Sequence, residues 1–360
     1  MPVSLVVGGQ FGSEGKGKVA LEIARRATER SVTLVRVGGP NSGHTGYDKS
    51  GNKFALRQLP AGCIDRNVDV VFPAGSYIDD EVLFREIEEL NYPTNRIFIS
   101  PFARVITAEH KTWEKASGLI DDIGSTGSGV GAAVMASAAR GARNFELQSV
   151  LARDWAPLAP FMHDQESNDL IDTTKMMRNT LQKRGRIIVE GTQGFGLSLL
   201  EGGYENKATS RSTTAAAALS EAGLSPMDVD DVTLVIRSFP IRVAGDSGPL
   251  AGELDWKDVA KHSGSRKDLR EYTTVTKKLR RVGEFDAELV KRAIEANHPT
   301  RLVLNHVDYL GPLEELASRE SSVSKFIDQV ESNTGRRIDW LGFSGLDVVN
   351  EIEARSFATR

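Results

Sequence analysis

The sequence predicts an α/β fold in which a mostly parallel central sheet is flanked by helices and a P-loop-like phosphate loop follows the first strand. Two observations support this prediction. Short runs of apolar residues alternate with segments of helical periodicity, and several of these runs end in glycine-rich or polar loops. Because parallel strands share one carboxyl edge, we expect these loops to lie together and to bind ligands there.

The first apolar run, residues 3–7, is a predicted strand that leads into the loop 8–18, with the sequence GGQFGSEGKGK. A helix is predicted to resume at residues 19–24, so backbone amides of the loop would face an anion at a helix N-terminus. Lys16 and Lys18 would add positive charge for phosphate oxygens. The loop is therefore predicted to hold phosphates.

This loop departs from the common nucleoside-triphosphate motif in two respects. Five residues rather than four separate Gly9 from Gly15, and Gly17 stands where a magnesium-binding Ser or Thr is usual. The alternative interpretation is a glycine-rich turn with solvated lysines.

The rest of the chain continues the alternation of strands and helices. Further strands are predicted at residues 32–37, 68–72, 96–99, 186–190, 231–236 and 300–304, with a helix at residues 80–90. Residues 144–185 are predicted to be mostly helical, with breaks at Pro157 and Pro160. Residues 331–360 are predicted to form a loop and a closing helix. With no repeat, low-complexity tract or evident linker, residues 1–360 are expected to form a single elaborated domain.

The loops after the predicted strands carry the candidate chemistry. His44, in the loop 38–46, can donate a proton or a hydrogen bond to a ligand; the alternative is that it satisfies local backbone groups. The glycine-rich and hydroxyl-rich segment 123–131 suits a second phosphate site or a flexible linker. A third polar loop, residues 191–194, follows another strand.

Two later segments also have candidate roles. Asn305 and Asp308 follow the last predicted strand, where a carboxylate can accept paired N–H donors from guanine. The alternative is a turn closed by these two side chains. The basic run 273–281 has four cations within five residues, and we interpret it as a loop that clamps carboxylate or phosphate rather than as a solvated charged face.

Composition limits the function classes. The formal net charge of -4 leaves no basic surplus for nucleic acid, so the local basic clusters are attributed to smaller anions such as nucleotides. Cys63 is the only cysteine, which excludes an intramolecular disulfide, and its apolar surroundings predict a buried structural thiol. No segment is typical of a signal peptide or a membrane span, which predicts a cytoplasmic protein without a membrane partner.

Five motifs, taken in order, resemble the adenylosuccinate synthetase family, which couples aspartate to C6 of a purine nucleotide through a phosphorylated intermediate. They are GGQFGSEGKGKV from residue 8, NSGHT from residue 41, GSTG from residue 124, EGTQG from residue 190 and RRVG from residue 280. The resemblance runs from residue 3 to about residue 308 and implies the fold of that family.

The resemblance also implies a set of site residues. Catalysis would depend on Ser13, Lys16, His44 and Gln193, with Lys16 facing the purine O6 and His44 acting as general acid. The acceptor nucleotide would contact Ser13, Asn41, Thr126, Arg140, Gln193, Thr209 and Lys278. The donor nucleotide would contact Gly12, Glu14, Gly15, Lys16, Gly17, Lys18, Thr45, Arg280, Asn305, Asp308 and Gly345. Aspartate would bind Thr274, Val275, Thr276 and Arg280, and Mg²⁺ would bind Ser13 and the Gly43 carbonyl.

Two of these positions carry further implications. Arg140 matches an arginine that reaches the acceptor's phosphate from the other subunit, so a homodimer is expected. Lys278 stands where the family has an arginine, and lysine lacks the bidentate fork.

Ser13 is the main departure from ordinary members, which have an aspartate that removes the N1 proton of IMP and binds Mg²⁺. A serine hydroxyl has neither that charge nor that basicity. The shorter side chain leaves space beside C2 of the purine and can accept a hydrogen bond from an exocyclic amine. This is the pattern of the viral branch, which resembles adenylosuccinate synthetase but makes N6-succino-2-amino-2'-deoxyadenylate from dGMP.

A second departure concerns the donor. Ordinary members read GTP through a Lys-x-Asp motif and a C-terminal Gly-Pro loop, whereas this chain has His306-Val307-Asp308 and no proline in residues 340–346. The expected donor is therefore ATP or dATP, with GTP less favoured. The alternatives are an ordinary synthetase that uses IMP and GTP, and a non-catalytic nucleotide-binding protein.

Overall fold

The computed structural model describes residues 2–65, 68–163, 169–264, 268–273, 277–344 and 348–350. Its strands are β1 (Val3–Gly8), β2 (Val32–Arg36), β3 (His44–Tyr47), β4 (Lys53–Leu56), β5 (Asp69–Phe72), β6 (Tyr77–Ile78), β7 (Ile97–Ile99), β8 (Arg104–Val105), β9 (Val150–Leu151), β10 (Arg186–Glu190), β11 (Val229–Arg237), β12 (Ile241–Arg242), β13 (Glu253–Leu254), β14 (Arg281–Gly283), β15 (Arg301–Asn305), β16 (Trp340–Leu341) and β17 (Val349–Asn350). Its α-helices are α1 (Lys16–Arg26), α2 (Asp80–Leu90), α3 (Ala108–Ala116), α4 (Leu119–Ile123), α5 (Val130–Ala139), α6 (Thr173–Gln182), α7 (Ala215–Ala222), α8 (Trp256–Ser263), α9 (Ala287–Asn297) and α10 (Ser322–Thr334).

A nine-stranded sheet lies at the centre, with the order β17-β16-β15-β11-β1-β10-β2-β5-β7. Its neighbouring strands from β16 to β7 pair in parallel, and β17 adds an antiparallel edge. Three small sheets accompany it: β12-β14-β13, β3-β4 and β6-β8-β9. The predicted α/β class with a mostly parallel sheet is confirmed.

The central strands are apolar along their whole length because both faces of the sheet are covered. Every residue of β1 is buried. Leu5 points into an apolar cluster with residues of α6, α7, α9 and α10, whereas Val6 points into a second cluster with residues of α1 and α2. Cys63 belongs to the second cluster with 2 % of its surface exposed, which confirms the predicted buried thiol.

Most predicted elements are present, and the ends of the predicted strands shift by at most two residues. The helix over residues 80–90 is correct, but the helix predicted from residue 19 begins three residues earlier, at Lys16. His44 lies at the first position of β3 rather than inside a loop.

The prediction of a mostly helical segment at residues 144–185 is wrong. Its described part forms the short strand β9, two 3-10 turns and one α-helix, α6. Pro160 lies inside the second 3-10 turn instead of breaking a helix. The tight turn suits proline and buries Leu158 and Phe161, so packing rather than helical periodicity explains the apolar residues.

The prediction for residues 331–360 is also wrong where it can be compared. Helix α10 continues to Thr334, and β16 and β17 follow it. The closing helix was predicted for a segment that includes residues 351–360, which lie outside the described residues.

Five central strands direct their carboxyl ends to one edge of the sheet: β15, β11, β1, β10 and β2. Four of them end in a polar or charged residue that is at most 1 % exposed: Arg36, Glu190, Arg237 and Asn305. This edge is where a doubly wound sheet binds its ligands.

Candidate active site

The loop after β1 folds around the carboxylate of Glu14. The backbone N–H groups of Gln10 and Gly12 donate to Glu14 Oε1 at 3.1 and 2.8 Å, and Lys16 Nζ lies 2.8 Å from Glu14 Oε2. Glu14 is fully buried, and a methyl group on Gly194 would lie 2.2 Å from its Oε1. The loop therefore encloses a side-chain anion of its own.

The lysines of this loop also face inward. Lys16 is 3 % exposed and pairs with Glu14, while Lys18 is 8 % exposed and donates from Nζ to the Ser344 carbonyl at 2.6 Å. The sequence predicted that Lys16, Lys18 and Glu14 face the bound nucleotide. In this structure their charged groups have internal partners, so the loop presents its backbone and Ser13 instead.

Three loop residues have left-handed backbone conformations: Gly12 and Gly15 with φ of 89° and Ser13 with φ of 58°. Glycine adopts such angles freely, but serine needs external contacts to hold it there. Arg237 Nη1 donates to the Ser13 carbonyl at 2.9 Å, and Asn305 Nδ2 donates to the Glu14 carbonyl at 2.8 Å. Two neighbouring strand ends therefore fix the conformation of the loop.

His44 lies between a carboxylate and a guanidinium. Its Nδ1 contacts Glu190 Oε1, and Arg36 Nη1 lies 3.3 Å from the ring nitrogens. Burial lowers the pKa of His44 to about 4, and the charge of Arg36 adds to this effect. Burial alone would raise the pKa of Glu190, but His44 and Arg36 lower it overall. At neutral pH the imidazole is therefore neutral, with Nδ1–H donating to an ionised Glu190.

The phosphate loop, His44 and Gln193 come together at the carboxyl edge. A methyl group on Gly17 would lie 2.9 Å from His44 Cβ and 3.2 Å from the Thr45 carbonyl. A methyl group on Gly12 would lie 3.8 Å from Gln193 Cα. Gln193 has a left-handed φ of 54°, and its Oε1 is buried without a hydrogen-bond partner among the described residues.

The other predicted acceptor residues lie on loops around this centre. Thr126 Oγ1 lies 2.8 Å from Ser128 Oγ just before α5, and the backbone N–H of Thr209 donates to the Leu197 carbonyl. Lys207 Nζ donates to the Asp122 carbonyl at 2.6 Å, which ties the loops of Thr126 and Thr209 together.

Two further residues that were predicted to bind the acceptor lie at loop surfaces. Asn41 is partly exposed in the loop after β2. Arg140 ends α5 with a left-handed φ of 51° and is exposed, with no side-chain hydrogen bond or ion pair to the described residues.

Asn305 and Asp308, two of the predicted donor residues, lie beside the phosphate loop. Asn305 is fully buried, and its Oδ1 has no hydrogen-bond partner within the described part of the chain. Burial raises the pKa of Asp308 to about 6. Burial also lowers the pKa of His306 well below its usual value, with Arg237 adding to the effect.

Some predicted residues fall elsewhere. The predicted aspartate-binding residues Thr274, Val275 and Thr276 and the predicted donor residue Gly345 lie outside the described residues. Lys278 is exposed, and Arg280 is held through its backbone by Glu271 and Trp256.

The structure adds site residues that the sequence analysis did not single out: Arg36, Glu190, Arg237 and Glu271. The first three shared a usable signal, since each is a charged residue at the last position of a buried apolar strand. A charge there is buried at the carboxyl edge and needs a partner in the loops. Glu271 had no such signal.

Magnesium has no carboxylate cluster in the described part of the chain, where no group of three His, Cys, Asp or Glu side chains could hold a metal ion. The predicted ligands Ser13 and Gly43 would offer neutral oxygens. Such a set fits an ion carried mainly by substrate phosphates and water, which is how Mg²⁺ usually binds in nucleotide enzymes. Within the described ranges, none of the helices has the length and apolar character that a membrane span requires.

A glycine-rich loop at the carboxyl edge of a parallel sheet, with buried charged groups around it, defines the class as a nucleotide-binding α/β enzyme. A family model described as adenylosuccinate synthetase matches residues 5–156 and 158–319. The chain belongs to the adenylosuccinate synthetase family, whose members are carbon–nitrogen ligases of purine biosynthesis and depend on Mg²⁺.

Individual relatives agree with this assignment. The adenylosuccinate synthetase of Thermococcus sibiricus is 37% identical over 314 residues, covering 86% of this chain and 84% of the relative. That of Methanococcus vannielii is 33% identical over 367 residues, covering 99% of this chain and 100% of the relative.

Two solved structures share the fold. Succinoaminodeoxyadenylate synthetase (PurZ) of cyanophage S-2L, bound to dGMP and to dATP as an energy donor, has a TM-score of 0.78 and 27% identity and covers 99% of both chains. Fully ligated adenylosuccinate synthetase of Plasmodium falciparum also has a TM-score of 0.78, at 20% identity over 97% of this chain and 99% of its own. The phage match supports the predicted viral branch.

Proposed function

We propose that this enzyme joins L-aspartate to C6 of dGMP, with ATP or dATP as the donor. The products are N6-succino-2-amino-2'-deoxyadenylate, the nucleoside diphosphate and phosphate. The observation that carries the proposal is Ser13, a short neutral side chain in a phosphate loop that is otherwise intact. The structural similarity to cyanophage PurZ, which is bound to dGMP and dATP, supports it.

Ser13 accounts for the choice of purine by size and charge. In the family's ordinary members an aspartate at this position takes the N1 proton of IMP. The Ser13 hydroxyl leaves room for the 2-amino group of guanine and accepts a hydrogen bond from it. Since serine is no base at neutral pH, the N1 proton must go to solvent, and the Ser13 hydroxyl acts only as a relay that takes this proton while it gives its own to a water molecule.

The reaction has two chemical steps. The acceptor O6 first attacks the γ-phosphorus of the donor, and the nucleoside diphosphate leaves. The aspartate amine then attacks C6, and phosphate leaves with the former O6. Mg²⁺, when bound with the donor, would supply charge neutralisation on the phosphates.

His44 serves both steps from one position. With Nδ1–H donating to Glu190, Nε2 is the ring atom left to take up a proton, and it lies 3.3 Å from the Ser42 hydroxyl. An anionic phosphoryl group nearby raises the pKa of His44 from its low value in the free protein, and the imidazolium then donates to O6. Arg36 contributes a fixed positive charge beside the ring.

Two buried polar atoms close to the phosphate loop have no hydrogen-bond partner among the described residues and are available to a nucleotide. These are Gln193 Oε1 and Thr192 Oγ1, and a bound nucleotide would satisfy them. Arg140 is exposed and would reach the phosphate of an acceptor in the partner subunit of a homodimer. Arg280 would bind aspartate and the donor phosphates.

The decisive experiment incubates the purified enzyme with aspartate and Mg²⁺, either dGMP or IMP, and either ATP, dATP or GTP. Mass spectrometry of the succinylated nucleotide and phosphate release are the measurements. We expect product from dGMP with an adenine donor. Product from IMP alone would overturn the proposal.

An ordinary adenylosuccinate synthetase is the second candidate. The observation in its favour is that relatives with that function are 32% to 37% identical, above the 27% of the phage enzyme. Asp308 also keeps the carboxylate that could read guanine in GTP. The same incubation separates the two functions.

A further inference from the structure

We propose that Arg237 and Glu271 are positioning residues that hold Ser13 and Arg280 in one fixed arrangement. This inference rests on the proposed function, because it assigns the pair to the same reaction. Neither residue needs to touch a substrate. Their role is to keep Ser13, which is proposed to contact the acceptor base, at a fixed position relative to Arg280, which is proposed to bind aspartate.

Arg237 is held rigidly by its own neighbours. It ends β11 and is fully buried. The side-chain amide of Gln10 spans its backbone, accepting from the Arg237 N–H at 2.9 Å and donating to its carbonyl at 3.1 Å. The guanidinium carbon lies 5.7 Å from the centre of the Tyr309 ring. An arginine fixed at both ends can set the position of a group that it binds.

That group is the carbonyl of Ser13. Arg237 Nη1 donates to it at 2.9 Å. Because Ser13 has a left-handed φ of 58°, its carbonyl would turn away if this bond were lost. The position of the Ser13 hydroxyl therefore depends on a guanidinium located 224 residues later in the chain.

Glu271 completes the arrangement. Its carboxylate contacts both terminal nitrogens of Arg237, and Tyr309 donates to its Oε1 at 3.0 Å. Its backbone carbonyl accepts from the N–H of Arg280 at 2.9 Å. Burial alone would raise the pKa of Glu271, but Arg237 leads the neighbours that lower it to about 2, so the carboxylate stays ionised over the working pH range.

The arrangement also separates two like charges. Arg237 and Arg280 repel one another, and the carboxylate of Glu271 attracts both. One ionised side chain thus connects the phosphate loop with the segment that carries Arg280.

The test uses two variants and a matched control. Arg237→Lys keeps the charge but lacks the planar fork whose two terminal nitrogens bind Ser13 and Glu271, and Glu271→Gln keeps the shape but loses the charge. Arg301→Lys is the control, because Arg301 pairs with Asp231 at 3.0 Å at the opposite, amino end of the neighbouring strand β15.

We expect kcat on dGMP to fall by about tenfold or more in both variants, since a small displacement of a reacting group has an effect of this size. The ratio of kcat/KM for dGMP to that for IMP should change by about fivefold or more, because Ser13 moves. Arg301→Lys should change neither value. In the double variant the two losses should not multiply, as residues of one network are coupled.

The inference is wrong if each variant loses activity only in proportion to the fraction of protein that is folded, and keeps the wild-type ratio of kcat/KM for dGMP to kcat/KM for IMP. Crystal structures of the variants give a readout without substrate: Ser13 should leave the left-handed region. If the wild type and Arg301→Lys turn over only IMP, the proposed function fails, and the variants then test the inference through KM for aspartate and the conformation of Ser13.

Discussion

At the scale of single residues, the site depends on buried side chains whose charge states are set by their neighbours. His44 is neutral because it is buried beside Arg36, and Glu190 is ionised because the same guanidinium and the imidazole stabilise its charge. Ser13 is neutral by its chemistry. Catalysis in this site must therefore recruit protons and charge from the substrates.

Ser13→Asp should reverse the purine preference. The longer carboxylate takes the space of the 2-amino group and restores a base for N1, so kcat/KM for dGMP should fall by about tenfold or more while that for IMP rises. Steady-state assays with both acceptors measure this. Ser13→Ala is the matched control, which should lower kcat/KM for dGMP without raising kcat/KM for IMP. If the ratio of these two values is unchanged in Ser13→Asp, another residue determines the selectivity.

Removal of the imidazole should slow the chemical steps. His44→Ala should lower kcat by about a hundredfold or more if His44 is the general acid. A loss below about fivefold would return His44 to a purely structural role.

The stability of the protein should depend on His44 in acid. Since the folded-state pKa is about 4 and the unfolded value is about 6.5, the unfolded chain binds the extra proton first, and stability is lost as the pH falls from about 6.5 towards 4. Urea unfolding at several pH values should show a weaker dependence for His44→Gln. The exposed His262 is the control position, and an equal slope in wild type and His44→Gln would contradict the depressed pKa.

At the scale of elements, the residue that follows β16 packs closely against the phosphate loop, next to the predicted donor residues. The backbone of Gly342 bonds to Leu304 and Val307 on the β15 side. A methyl group on Gly342 would lie 2.1 Å from Asn305 Oδ1 and 2.6 Å from Lys18 Nζ. The glycine is required by space rather than by its backbone angle.

Gly342→Ala should therefore destabilise the protein by about 1–3 kcal/mol and raise KM for the donor, because Asn305 and Lys18 must move. Gly131→Ala is the matched control, because its added methyl group meets nothing within 4 Å. Since alanine favours the helix α5, this variant should be as stable as the wild type or more stable by up to about 1 kcal/mol. Urea unfolding measures the stability of both variants, and donor titrations measure KM. If Gly342→Ala and Gly131→Ala gave the same values, the packing argument would be refuted.

At the scale of the whole molecule, the active site is proposed to require two subunits. Arg140 is exposed and has no side-chain partner among the described residues, which suits a group that binds its ligand across an interface. That residues 1–360 form one domain stays a prediction, as does the dimer.

Subunit mixing tests this proposal. Arg140→Ala and His44→Ala should each be nearly inactive alone. After dissociation and reassociation of an equal mixture, half of the dimers are mixed and one of their two sites has both residues intact, so activity should recover to about a quarter of wild type. Unmixed variants are the control. No recovery in verified mixed dimers would show that Arg140 acts within its own subunit.

The sequence by itself determined the parallel α/β class, the order of the central strands along the chain and the loops that carry the candidate site. These features follow from short-range signals: apolar runs, glycines and polar residues at strand ends. Even the selectivity argument for Ser13 needs only the identity of one residue in a recognisable motif.

The tertiary structure alone decided which charged groups meet. Glu14 turns into its own loop, His44 lies against Glu190, 146 residues away, and Arg237 binds Ser13 across 224 residues. Such pairs form because buried charges at the carboxyl edge require partners, and the strand order of the sheet selects them. These pairs cannot be predicted from the separation of the residues along the sequence.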